Sequence, residues 1–79
     1  DPNVYANMAA DELIQIINTL PENYRTIFNL HAIEGFSHKE ISEMLSIKES
    51  TSRSQLTRAR GILKKHLSRR EKVNKYYKI

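Results

Sequence analysis

Between Arg53 and Arg58 the chain places two guanidinium groups and two hydroxyls, Arg53, Ser54, Thr57 and Arg58, inside a stretch rich in basic residues. At about 100° per residue on a helix, with Arg53 at zero, Thr57 falls at about 40°, Ser54 at about 100° and Arg58 at about 140°. Lys64 falls near 20°, Lys65 near 120° and Arg60 near 340°. The opposite arc, about 220° to 320°, holds Ser52, Leu56, Ala59, Leu63, His66 and Leu67. One face is therefore apolar and the other offers cations and hydroxyls. That separation suits a helix that packs on its own domain and enters the groove of a duplex. Arginine can hold guanine through two acceptors in the major groove, and a threonine methyl can touch a thymine methyl. Lysines and hydroxyls near the ends of such a helix can reach phosphates.

Other chemistries lack their residues. The histidines, His31, His38 and His66, have no metal-ligand spacing, and cysteine is absent; no metal or other cofactor is expected. His31 and His66 fall on apolar stripes and read as residues at the edge of a core. No Gly-x-Ser-x-Gly elbow marks a nucleophile, and no glycine-rich loop could cradle a phosphate. The reading is of a binding domain, not an enzyme. Tyr76 and Tyr77 stand among lysines, but no sheet is available to present them to bases, so they read as a plain tail.

Charge points the same way. Residues 1–34 hold five acids and one base, a net of −4, whereas residues 35–79 hold four acids and twelve bases, a net of +8. A basic second half suggests a polyanionic partner. The 79 residues allow one small domain with a thin core. No apolar run approaches the roughly 20 residues of a membrane span, so no membrane partner is expected. No basic, apolar leader opens the chain, and the missing initial Met suggests a piece of a longer protein.

Four helices must position the basic face. Apolar residues recur at three and four, and no alternating strand pattern competes. The first helix is predicted from about Ala9 to Asn18, with Leu13, Ile16, Ile17 and Leu20 as its stripe. Pro21 is expected at the first position of a second helix that runs to Ile33. Tyr24, Ile27, Phe28 and His31 share its inner face, beside Leu30, and Gly35 closes it. Ser37 and Glu40 form a capping box at the start of a short third helix. Ile41, Met44 and Leu45 are its predicted core residues, and it ends near Ser46. A turn over Ser46–Glu49 leads to the fourth helix, from about Glu49 to Ser68 or on to Lys72, with Gly61 inside it. The domain is thus assigned to residues 9–70, with 1–8 as a linker remnant and 71–79 as a basic tail that either extends the fourth helix or is disordered. Short capped helix, turn and basic helix, in that order, make an all-α helix-turn-helix domain without a wing, its recognition helix near 49–68.

Four segments in register resemble a family signature: Leu20-Pro21-Glu22-Asn23-Tyr24-Arg25, Ile33-Glu34-Gly35-Phe36-Ser37, Glu40-Ile41-Ser42-Glu43-Met44-Leu45, and Ser50-Thr51-Ser52-Arg53-Ser54-Gln55-Leu56-Thr57-Arg58-Ala59-Arg60. Together they resemble region four of bacterial RNA polymerase sigma factors of the extracytoplasmic-function group. The resemblance implies a cytoplasmic, monomeric domain that recognises the minus-35 element of double-stranded promoter DNA. It implies base contacts from Arg53, Ser54, Thr57 and Arg58, and backbone contacts from Lys39, Thr51, Gln55 and Arg60, with Lys64 added by the wheel. Arg60 lies at the boundary of the two arcs, where packing or an ion pair with the second helix competes with a phosphate contact. The resemblance also implies docking on the β-subunit flap of core RNA polymerase, capture by an anti-sigma factor, and a separate domain before residue 1. Ser50 departs from a common glycine, and Ser42 and Ser52 from apolar residues. Each buried serine is expected to bond the carbonyl four residues back. The alternative is the helix-turn-helix of another regulator, such as a response-regulator output domain, which would act as a dimer.

Overall fold

The computed structural model describes residues 10–77, with side chains described for residues 10–69. Residues 1–8, read as a linker remnant, lie outside the described residues, as do Lys78, Ile79 and the side chains of Tyr76 and Tyr77. Four helices follow in order: α1 over Ala10–Asn18, α2 over Glu22–Phe28, α3 over His38–Leu45 and α4 over Glu49–Tyr77. A π-helical turn, Asn29–Ile33, continues α2. No strand occurs among the described residues, so the domain is all-α as predicted.

Asp11 and Glu12 occupy the first turn of α1, where the helix dipole favours acids. Its end is closed by Thr19, whose amide and hydroxyl both donate to the Ile16 carbonyl. Pro21 is the N-cap of α2, not its first helical residue: its φ is −52° but its ψ of 148° is extended. Its carbonyl accepts from the Arg25 amide at 2.9 Å, which starts the helix one residue later than predicted.

The π-helical turn widens the end of α2 by one residue. The Glu34 amide bonds the Asn29 carbonyl, and the Phe36 amide reaches back to that of Leu30, both at 2.9 Å. Gly35 makes the reversal at a φ of +81°, where a β-carbon would strain the backbone. Then α3 opens on the predicted capping box: Ser37 Oγ accepts from the Glu40 amide at 3.1 Å, and Glu40 Oε1 accepts from the Ser37 amide at 3.0 Å. It ends at Ser46, whose φ of 55° is left-handed, with the Ile47 amide bonded to the Ser42 carbonyl. The turn is three residues, Ser46 to Lys48, one shorter than predicted.

The core joins Ile16, Ile17 and Leu20 to Ile27 and Phe28 of α2, Ile41 of α3, and Leu56, Ala59, Leu63 and Leu67 of α4. Met44 and Leu45 do not belong to it: they are 52% and 37% exposed, while Ile41 is fully buried. All three share one face of α3, but Met44 and Leu45 are its last two residues, and of the three only Ile41, in the middle of the helix, is buried. After the left-handed turn Ile47 folds back against the core in their place. Finally, α4 runs on to Tyr77, beyond Ser68 and Lys72 and into the tail, the extended one of the two readings for that segment. No Gly or Pro interrupts residues 62–77, and Arg and Lys are good helix formers, so nothing local stops it.

Candidate nucleic-acid interface

The two faces of α4 are as the wheel divides them. Ser52, Leu56, Ala59, Leu63 and Leu67 are buried and His66 is half-buried. Arg53, Ser54, Thr57, Arg58, Arg60, Lys64 and Lys65 are all exposed. Helices α2 and α3 pack against the buried side, so the exposed arc points away from the domain. Lys39 is exposed on α3. Thr51 and Gln55 are half-buried at the edge of the face, and Gln55 lines a groove with Leu45 and Ile47.

Local bonds hold these side chains. Ser54 Oγ donates to the Thr51 carbonyl and Thr57 Oγ1 to the Arg53 carbonyl, both at 3.0 Å. Each hydroxyl oxygen keeps accepting capacity and each rotor can turn toward a ligand. Arg53 Nη1 lies 3.3 Å from Glu49 Oε2 on the preceding turn. Arg53 and Lys64 are eleven residues apart, about 16 Å along the axis, which exceeds the roughly 12 Å width of the major groove. The stretch from Arg53 to Arg58 is short enough to fit within one groove, and Lys64 lies beyond it.

An acid-poor, exposed basic arc behind a capped short helix is the geometry of a groove-binding helix-turn-helix. The family model for sigma-70, region 4, matches residues 10–63. The chain belongs to the sigma-70 region 4 family. This region 4 domain is 45% identical over 51 residues to the RNA polymerase sigma factor SigZ of Bacillus subtilis, covering 65% of the chain and 29% of that protein. It is 35% identical over 60 residues to the ECF RNA polymerase sigma-E factor of Haemophilus influenzae, covering 71% of the chain and 32% of that protein. The chain thus spans about a third of the length of these relatives. No solved structure matches it.

Two serines of the region 4 domain differ from expectation. Ser42 Oγ donates to the Lys39 carbonyl, three residues back, at 2.6 Å. Ser52, with no exposed surface, has its described side-chain bond outside its own helix, with Oγ 2.8 Å from Nδ1 of His38 on α3. His38 in turn stacks on His31, with ring centroids 4.3 Å apart and planes 10° from parallel. Burial first, then His31 and Arg53, hold the His38 imidazole below its ordinary value of 6.5; Glu49 pulls the other way, and Arg60 adds the least. Sequence reasoning gave His38 no role. The signal was present, since a polar residue at a core position of α4 needs a partner, but its separation of 14 residues hid it. His31 and His66 sit at the edge of the core as predicted. His66 Nε2 reaches Thr19 Oγ1 at 3.3 Å and ties α4 to the end of α1. Among the described residues no helix is long and apolar enough to cross a membrane.

Proposed function

We propose that the chain is the promoter-recognition domain of an alternative sigma factor of the extracytoplasmic-function group. Residues 9–70 form the domain, with 1–8 as a linker and 71–79 as a basic tail whose first part continues α4. It binds the minus-35 element of promoter DNA by laying α4 in the major groove. Arg53, Ser54, Thr57 and Arg58 meet base edges; Lys39, Thr51, Gln55, Arg60 and Lys64 meet the sugar-phosphate backbone. As part of a longer cytoplasmic protein, the domain docks on the β-subunit flap of core RNA polymerase and directs initiation, and an anti-sigma factor can sequester it.

The observation that carries this reading is the division of α4 into a buried apolar arc and an exposed basic arc. The test is fluorescence anisotropy of the 79-residue chain with duplexes carrying upstream promoter elements and with scrambled controls, over a salt series. A steep negative log–log salt slope with preference for one element is expected. Equal affinity for all duplexes would remove the promoter reading, and a stable DNA-free dimer in sedimentation would point to another class of regulator.

A further inference from the structure

His31, His38 and Ser52 join the three elements of the helix-turn-helix. His31 comes from the π-helical end of α2, His38 opens α3, and Ser52 lies in the first turn of α4. His31 Nδ1 stands 2.9 Å from the Phe36 carbonyl oxygen. A carbonyl only accepts, so that nitrogen carries a proton and the ring is fixed to the loop before α3. The stack then sets His38, and His38 holds the hydroxyl of Ser52. Ser52 lies between Thr51 and Arg53 in sequence.

We propose that His31 and His38 are positioning residues for the basic helix: their stacked rings fix Ser52 and with it the first turn of α4, and protonation of His38 in mild acid loosens that hold and weakens duplex binding. The DNA part rests on the reading given under Proposed function; the hold on Ser52 does not.

A neutral His38 can accept the Ser52 hydroxyl proton at Nδ1, whereas a protonated ring donates there, so the Ser52 hydroxyl must turn to accept and its own proton loses this acceptor. Protonation also sets a cation on the face of His31 and near Arg53 and Arg60, with Glu49 as the acid among the charged groups around it. The packed, neutral arrangement therefore resists the proton, and taking it up favours opening of the stack. Histidine is the side chain suited to this near neutrality. The sign is diagnostic. Added positive charge alone strengthens binding to a polyanion, so electrostatics without the relay would tighten DNA binding in acid.

The experiment uses the 79-residue chain between about pH 7.5 and about pH 5.5, the range in which histidine charge changes. Imidazole and backbone amide signals are followed by NMR, and anisotropy with a mixed-sequence duplex is read at fixed ionic strength. In the wild type, the amides of Thr51 to Ser54 are expected to follow the His38 ring, and duplex affinity to fall by up to about tenfold per pH unit, the slope of one linked proton. His38→Asn keeps an amide near the position of Nδ1 to bond Ser52 but cannot titrate; its affinity is expected not to fall. Ser52→Ala is expected to let the ring titrate while the α4 amides stay silent. Amides of Thr51 to Ser54 that ignore His38 would overturn the proposal, as would an acid-induced fall in His38→Asn as steep as in the wild type. Should the duplex bind at no pH, the DNA-binding reading fails, and the NMR signals alone decide the relay.

Discussion

Nη1 of Arg53 lies 3.3 Å from Oε2 of Glu49, one turn nearer the start of α4, and both side chains are about half exposed. The pair puts an acid at the head of the basic face. Exposed pairs at this spacing contribute only about 0.3–0.5 kcal/mol. Glu49→Gln is therefore expected to change unfolding free energy by less than about 1 kcal/mol, helix-dipole loss included. It also removes a negative charge that a phosphate must approach. Affinity for any duplex, promoter or scrambled, is expected to rise, and anisotropy at low salt measures it.

The proposed function gives Arg53 and Arg58 a different role from Lys64, and salt separates the two. Arg53→Ala and Arg58→Ala are each expected to cost about 1–3 kcal/mol on the preferred duplex and to relax preference at one base. Lys64→Ala is expected to weaken all duplexes about equally and to reduce the log–log salt slope by about 1. The readout is the same anisotropy titration against single-base variants of the preferred duplex. Equal loss on every duplex for both arginine variants would take them out of base recognition.

Leu63 is fully buried while Met44 is half exposed, although both stand on apolar stripes. Leu63→Ala is expected to cost about 2–5 kcal/mol, the range for a truncated core leucine. Met44→Ala is expected to stay within about 0.5 kcal/mol, as surface changes do. Urea denaturation of the three proteins checks both.

The contrast between those residues shows where the sequence was legible. Helix α4 is long enough to repeat its pattern several times, so its buried arc could be read from spacing alone. The capping box and Gly35 were legible because each is a local device with its own chemistry. In α3 the spacing puts Ile41, Met44 and Leu45 on one face, but it does not tell how far along the helix that face stays covered. The π-helical turn left no compositional mark. The His38–Ser52 bond crosses elements and depends on how α3 sits on α4, which no local pattern encodes. The exposed basic arc was legible, because exposure on α4 follows its repeated spacing.

Two glycines give opposite signs under the same substitution. Gly35 takes a φ of +81°, and nothing lies within 4 Å of an added β-carbon, so the cost of Gly35→Ala is backbone strain alone. That cost is expected at about 1–2 kcal/mol. Gly61 lies inside α4 with equally open space around it. There alanine removes the helix penalty of glycine and is expected to add about 0.5–1 kcal/mol. Thermal unfolding of the two variants should move in opposite directions from the wild type.

Glu40 provides an acid-side test of the helix-turn-helix itself. Its carboxylate accepts from the backbone amide and lies against the side chain of Ser37, and these bonds hold its carboxyl below the ordinary value of 4.5. The folded state therefore prefers the ionised form. The stabilisation is complete above pH 4.5, the unfolded value, and is lost as pH falls through the lower folded value. Glutamine can take the same place in a capping box but does not titrate. Glu40→Gln is expected to remove the part of the acid-side loss of stability that falls in that window, while leaving the mid-range profile attributed to His38 intact. Circular dichroism melts across the acid range, compared with the wild type, measure the difference. Identical acid limbs in the two proteins would show that the capping box does not carry this dependence.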